Sequence, residues 1–349
     1  KQRIYWLGDA GLPAANIDST LFTHLFCAFA DVNPQTYEVT IAIENHGPFS
    51  TFNQTVQERN PGVKTLLSIG GGNATPATFA AMASSAKTRT AFIDSSIRLA
   101  RSSNFLGLDL DWEYPQTEDE MKNLGSLLNE WRKAVQIESG STNNAPLLLT
   151  AATYSSSSHE GLLYPIQAIS DSLDWINLMA YDFYAPGWSR DVAGPPAALY
   201  NTGDRDPLAC GDVGVQAWID EGVPAQKLVL GLPFYGYAWE LEDPNSNGLF
   251  ALANGAANGA GIDPTDGSID YNKIVNFKNG SGATGFFDAS FVTDYCHSGT
   301  TWIGYDDTKS ITNKVEYAVG KKLLGYFAWH VGGDRDWTLS RTASNAWGA

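Results

Sequence analysis

Basic residues are scarce in this chain. Its 349 residues hold 22 Lys and Arg against 38 Asp and Glu, a formal net charge of −16. A surface with that bias is repelled by phosphate backbones and anionic lipid, which argues against nucleic-acid and membrane-surface roles but not against a neutral polymer. Cysteine is rarer still. Cys27, Cys210 and Cys296 form an odd set, so at least one is expected to have no disulfide partner within a monomer, and Cys27, in an apolar run, reads as an inert core thiol. The five histidines (His24, His46, His159, His297, His330) show neither metal-ligand spacing nor a Ser or Cys partner, and the acids lack EF-hand spacing. Metal-dependent and triad chemistry are therefore unsupported, and no metal or cofactor is expected. No apolar run approaches the length of a membrane span. No charged-then-apolar leader precedes Lys1, so any signal peptide is expected to have been removed or never to have existed.

Aromatic residues are plentiful, at 12% of the chain with 11 Trp, and 43% of residues are hydrophobic, enough for a large core. Trp and Tyr faces are also what pyranose rings stack on. Eight segments read as strands: 3–8, 24–30, 64–72, 106–113, 147–152, 175–182, 227–236 and 323–330. Several are almost wholly apolar, as in a parallel sheet covered on both faces. Helical segments separate them, around 49–59, from about 76 to 101, and after Thr117, whose Thr-x-x-Glu spacing suggests a capping box. Beyond that cap Met121, Leu124, Leu127, Leu128, Trp131 and Val135 mark one helical face. The alternation predicts an α/β fold, a (β/α)8 TIM barrel at 1–239 and 307–349. The stretch 240–306 is too long for a barrel connection and carries Phe286, Phe287, Phe291, Tyr295 and Trp302, which need burial. It is expected to be a small α+β insertion between strand seven and its helix, forming one wall of a cleft.

The most informative stretch is Leu106-Gly107-Leu108-Asp109-Leu110-Asp111-Trp112-Glu113. In a strand, period two sets Asp109, Asp111 and Glu113 on one face and Leu108, Leu110 and Trp112 on the other. Strands are poor in Asp, so three acids at that spacing are a costly way to make a wet face. Crowded carboxyls cannot all ionise comfortably, and their pKa values are driven apart. The outermost can stay protonated near neutral pH and serve as a general acid, the equipment of a glycosidase.

These residues resemble the DxDxE core of glycoside hydrolase family 18, the chitinases. The first Asp of the longer family motif falls at Leu106 here. Ser68-Ile69-Gly70-Gly71 is similar to the family's SxGG strand and Met179-Ala180-Tyr181-Asp182 to its MxYD. The run from Leu230 to Trp239 looks like the plant class V group, and the resemblance covers nearly the whole chain. It implies that Glu113 is the general acid and that Asp111 orients the substrate's own 2-acetamido group, which attacks the anomeric carbon to give an oxazolinium ion. It also implies that Tyr181 donates to the acetamido oxygen and that Asp109 shares a proton with Asp111, held by Tyr5 and Ser68. Trp329 would floor the sugar site, Asp182 would contact the neighbouring sugar, and Met179, Tyr114, Phe29 and Gly71 would line the binding cleft. Taken alone, Tyr181 and Trp329 also fit ordinary barrel-filling aromatics, Ser68 a satisfied core hydroxyl, and the glycines simple chain turns.

The expected function is a retaining endo-chitinase acting on chitin and chitooligosaccharides as a monomer. Its expected setting is the cell exterior or a vacuole, in keeping with plant defence. Sequons at Asn53, Asn73 and Asn279 point the same way, although so short a motif also arises by chance. Two other readings stay open: a chitin-binding lectin on a catalytically dead barrel, and an endoglycosidase acting on N-glycan cores or lipo-chitooligosaccharides.

Overall fold

Eight parallel strands close into a ring in the computed structural model, which describes residues 1–8, 11–203 and 205–348. They are β1 (Gln2–Trp6), β2 (His24–Val32), β3 (Lys64–Gly70), β4 (Gly107–Asp111), β5 (Leu148–Tyr154), β6 (Trp175–Met179), β7 (Leu228–Pro233) and β8 (Gly325–Trp329). Strand β1 pairs with both β8 and β2, which closes the barrel. The architecture is the expected (β/α)8 TIM barrel. Its first connection carries only two 3-10 turns, Ala14–Asn16 and Ser19–Leu21, among the described residues.

The period-two pattern of β4 divides two cores. Leu108, Leu110 and Trp112 face outward into the layer under the helices, while Asp109 and Asp111 face inward and are 0% and 4% exposed. Tyr5, Phe26, Leu66, Trp175, Val229 and Phe327 fill the interior around them. The next helix, Glu118–Thr142, begins where Thr117 accepts a hydrogen bond from the Glu120 amide at 3.1 Å. The Glu120 carboxylate reaches back to the Gln116 amide, not to Thr117, so only half of the capping box forms. All six apolar residues expected on its inner face are buried.

Three expectations need correction. The helical region 76–101 is two helices, Pro76–Ala83 and Ala86–Ser102, because Ser85 turns extended and its hydroxyl caps the second one. The strand expected at 227–236 also divides. Pro233, which has no N–H for a ladder, ends β7, and Tyr235–Leu241 belongs to a different sheet. Among the insertion aromatics only Trp302 is fully buried; Phe286 is 41% exposed and stacks on Tyr295 and His297.

That second sheet is antiparallel, running Val192–Ala193, Ala251–Ala256, Tyr235–Leu241, Thr301–Tyr305, Thr293–Ser298 and Thr284–Asp288, with Ser268–Asp270 added on Tyr235–Leu241. One helix, Tyr271–Ser281, accompanies it. Of the sequon residues, Asn53 is buried, its amide donating to Gln57 and its carbonyl accepting from Thr65, so it has no room for a glycan. Asn73 and Asn279 are exposed.

A buried ion pair fastens the end of the second sheet to the barrel. Lys314, on the helix Thr308–Gly320, donates to Asp306 at 2.5 Å and to the Ala197 carbonyl. Burial pushes the Asp306 carboxyl up to about 6 although Lys314 pulls it down. Removing the cation would leave a buried charge uncompensated. Lys314→Met is expected to destabilise the fold by about 3–5 kcal/mol in urea unfolding at pH 7, and a negligible change would show that the pair carries no such burden.

Candidate active site

The C-terminal ends of the barrel strands open on a cavity of about 730 Å³ lined by Asp111, Glu113, Tyr181, Asp182 and Trp329 among others. Residues from separate strands therefore meet at the mouth, where barrels of this kind carry their chemistry.

Asp109 lies deepest. The sheet register sets Ser68 of β3 and Thr150 of β5 beside it. Its Oδ2 accepts from Tyr5 at 2.8 Å and Ser68 at 2.7 Å, and its Oδ1 accepts from Thr150 at 2.6 Å. Burial raises its pKa, and the three hydroxyl donors work against that rise. Thr150 was not anticipated; its signal is the register of an apolar strand, which needs the fold to be known.

Asp111 faces the small Ala152 across the sheet and has no comparable donors. Its Oδ1 is buried without a hydrogen-bond partner among the described residues. Burial, then the charges of Glu113 and Asp109, drive its pKa well above the carboxylate range. Glu113 lies just past the strand end and is also raised, first by burial and then by Asp182. Asp111 and Glu113 are hydrogen-bonded, an interaction that raises Asp111 and lowers Glu113. The sequence reading put the proton on the outermost acid. Because Asp111 is the more deeply buried and sits between two other carboxyls, its hold on the shared proton is raised the more strongly, with Glu113 its partner across the bond.

Two glycines fix this geometry. Gly70 has φ +115, and a Cβ there would meet the Asp111 carbonyl at 2.0 Å. Gly71 donates its N–H to that carbonyl at 2.9 Å. A Cβ on Gly71 would strike the Phe29 ring at 2.4 Å, so the residue makes room for Phe29 and is itself buried. Gly71 was expected on the cleft wall; Gly72 and Asn73 are there instead.

The other expected residues converge. Phe29, Tyr114, Met179, Tyr181, Asp182 and Trp329 all line the cavity, as does Tyr5. Trp329 stacks on Phe29 with ring centroids 5.5 Å apart and leans on Tyr5 at the same distance. The Tyr181 hydroxyl makes no hydrogen bond among the described residues and stays available to a ligand. Ser68 is fully buried and acts only on Asp109. Asp182 is held from the second sheet: Tyr235 and Tyr237 donate to its Oδ1 at 2.5 and 2.9 Å. Burial raises Asp182, and those two donors oppose the rise. Neither tyrosine was singled out from sequence, nor was Trp188, an indole 59% exposed on the cavity rim. Among the described residues no cluster of His, Cys, Asp and Glu is arranged to hold a metal ion.

Residues 3–334 match the sequence model described as Glycosyl hydrolases family 18. A class V chitinase from Arabidopsis thaliana is 55% identical over 345 residues, covering 99% of this chain and 89% of its own. A solved class V chitinase from Nicotiana tobaccum is 52% identical, with a TM-score of 0.97 over 100% of this chain and 99% of that one; a mutant of it has been solved in complex with NAG4. A chitinase-like agglutinin from Robinia pseudoacacia is 47% identical, with a TM-score of 0.90 and 99% coverage of both chains.

The burial of Asp111 has a consequence for stability. A carboxyl whose pKa rises on folding binds more protons in the folded than in the unfolded chain. Its contribution is fully present below the ordinary carboxylate range and is lost as pH climbs from about 4 toward the raised value. Asp111→Asn removes that loss. It is expected to raise the melting temperature by about 2 °C or more at pH 7.5, with the gain shrinking at pH 4. A gain that is equal at both pH values, or absent, would contradict the assignment.

Proposed function

The chain belongs to glycosyl hydrolase family 18, and from that membership and the acid array we propose a retaining endo-chitinase cutting β-1,4-linked N-acetylglucosamine polymers. The observation that carries this reading is the partnerless Oδ1 of Asp111, a buried acceptor at the cavity wall. It suits an acetamido N–H, and the free hydroxyl of Tyr181 suits the acetamido oxygen. With that group held, its carbonyl oxygen attacks the anomeric carbon as the glycosidic bond breaks, and the proton shared with Asp111 crosses to Glu113, which passes it to the departing oxygen and leaves Asp111 ionised. Asp111 balances the charge of the oxazolinium ion. Water then attacks the same carbon, Glu113 takes the proton back, and two displacements leave the configuration retained.

Trp329, stacked on Phe29, offers a flat floor for the reacting ring. Asp182 would contact the next sugar, and Met179 and Tyr114 would pack against the chain; all three line the cavity. The second sheet, whose strand Tyr235–Leu241 begins ahead of the insertion expected at 240–306, serves in this reading as a wall that holds Asp182 in place. The relatives named as class V chitinases and the tobacco complex with NAG4 support chitooligosaccharides as ligands. We take the protein to work as a secreted or vacuolar monomer.

The agglutinin at 47% identity shows that a closely similar chain carries a lectin's name, so activity must be tested directly. Glu113→Gln is expected to lower kcat on chitin hexamer by about 10²–10⁴-fold while leaving oligosaccharide binding nearly unchanged. Undiminished hydrolysis would remove Glu113 from the mechanism. Binding without turnover by the unaltered chain would favour the lectin, and release of glycan from a high-mannose glycopeptide in place of hexamer cleavage would favour the N-glycan reading.

A further inference from the structure

A hydrogen-bonded line runs inward from the acids to the barrel interior. Tyr5 donates to Asp109 at 2.8 Å. The Asn177 side-chain amide donates to the Tyr5 oxygen at 2.9 Å. Trp175 donates its indole N–H to the Asn177 carbonyl oxygen at 3.1 Å. Every member is buried. An indole only donates, so it fixes which end of the Asn177 amide faces it, and the amide's NH2 is left for Tyr5. With its oxygen already accepting, Tyr5 has its own hydrogen committed toward Asp109.

We propose that Asn177, oriented by Trp175, is a positioning residue that locks the Tyr5 hydroxyl as a donor to Asp109 and so reserves the proton of the acid array for Asp111 and Glu113. The proposal rests on reading those acids as the catalytic array. Ser68 and Thr150 also donate to Asp109, but neither hydroxyl accepts a hydrogen bond from another residue among the described ones. Either can therefore turn and accept from a protonated Asp109. Tyr5 is the one contact that its own partner holds in the donating sense. A proton settling on Asp109 is the competing, unproductive arrangement, because Asp109 does not line the cavity.

At the inner end of this line Arg3 lies 4.3 Å over the Trp175 ring and His24 meets that ring edge-on at 5.0 Å. Asp109 is faced by Tyr5 from β1 and Asp111 from β4, while Tyr5 is faced by Asp109, Asp111 and Tyr181. Asp111 is faced by Glu113, and Glu113 by Asp182 and Tyr114. Tyr164 also feels Asp111 and Glu113. No cation contributes to any of the three acids. At the acids the lock is thus set by hydrogen-bond direction.

Releasing the lock has a definite sign. If Asp109 can compete for the proton, the three acids together bind it more tightly, so the alkaline limb of the kcat/KM profile moves to higher pH. The maximum nevertheless falls, because part of the proton population rests on the wrong carboxyl. Asn177→Leu should show both effects on chitin hexamer, with the maximum reduced by roughly tenfold. A distorted pocket would lower the maximum without moving the limb. Tyr5→Phe should give the same pair of effects, and the double variant should match Tyr5→Phe alone, since Asn177 acts only through Tyr5.

The protonation itself is read without substrate by a carboxyl carbon-13 NMR titration of Asp109. Its midpoint should rise in Asn177→Leu relative to the unaltered chain. Should that variant not fold, Trp175→Phe keeps an aromatic ring but removes the indole N–H, frees the amide to turn over, and should raise the same midpoint. An Asp109 titration unmoved in the folded variants would overturn the proposal, as would additive effects in the double variant. An unaltered chain that fails to cut the hexamer while the midpoint still rises would fault the chitinase reading alone.

Discussion

Three carboxyls are crowded together at the mouth of one barrel, two of them, Asp109 and Asp111, buried, and the surrounding structure is arranged around that electrostatic cost. An isolated carboxylate there is strongly disfavoured. The strain is divided unequally: Asp109 is given three hydroxyl donors, whereas Asp111 keeps an oxygen with no partner. The first acid can carry charge, and the second responds with a stronger hold on the proton it shares with Glu113. One strand thus yields groups of the same chemical type with different affinities for a proton. The difference lies in what the neighbouring strands present at the same level of the barrel, not in the acids themselves.

The same logic reaches into the second sheet. Asp182 belongs to the end of a barrel strand, yet both donors that hold it come from the strand Tyr235–Leu241. The charge that raises Glu113 after burial is that of Asp182. The insertion is therefore tied to the acids by electrostatics as well as by shape. The Lys314–Asp306 pair, at the point where the chain leaves the second sheet for the helix before β8, anchors this arrangement mechanically.

The barrel was legible in the chain because its strands are near-continuous apolar runs separated by helical periods, and the acids stood out because strands rarely carry Asp. The resemblance to a known family placed Tyr181, Trp329 and Asp182, which by residue type alone read equally well as packing. Sequence reasoning went wrong where a local signal was outweighed by its surroundings. Ser85 broke a helix that propensity would have continued, and Pro233 ended a strand that hydrophobicity would have extended. Gly71 was taken for a wall residue because glycine's role of making room for Phe29 depends on a neighbour 42 positions away. Thr150, Asn177, Tyr235 and Tyr237 went unmarked for the same reason. Each matters through a contact with a distant strand, and nothing near it in the chain announces that contact.

The central claim is that the sugar supplies the attacking oxygen and that Asp111 presents it. Incubating the protein with a fully acetylated hexamer and, separately, with the fully deacetylated hexamer tests this most directly. The account predicts cleavage of the first and none of the second, whose free amine has no carbonyl to attack. Efficient cleavage of the deacetylated chain would contradict it.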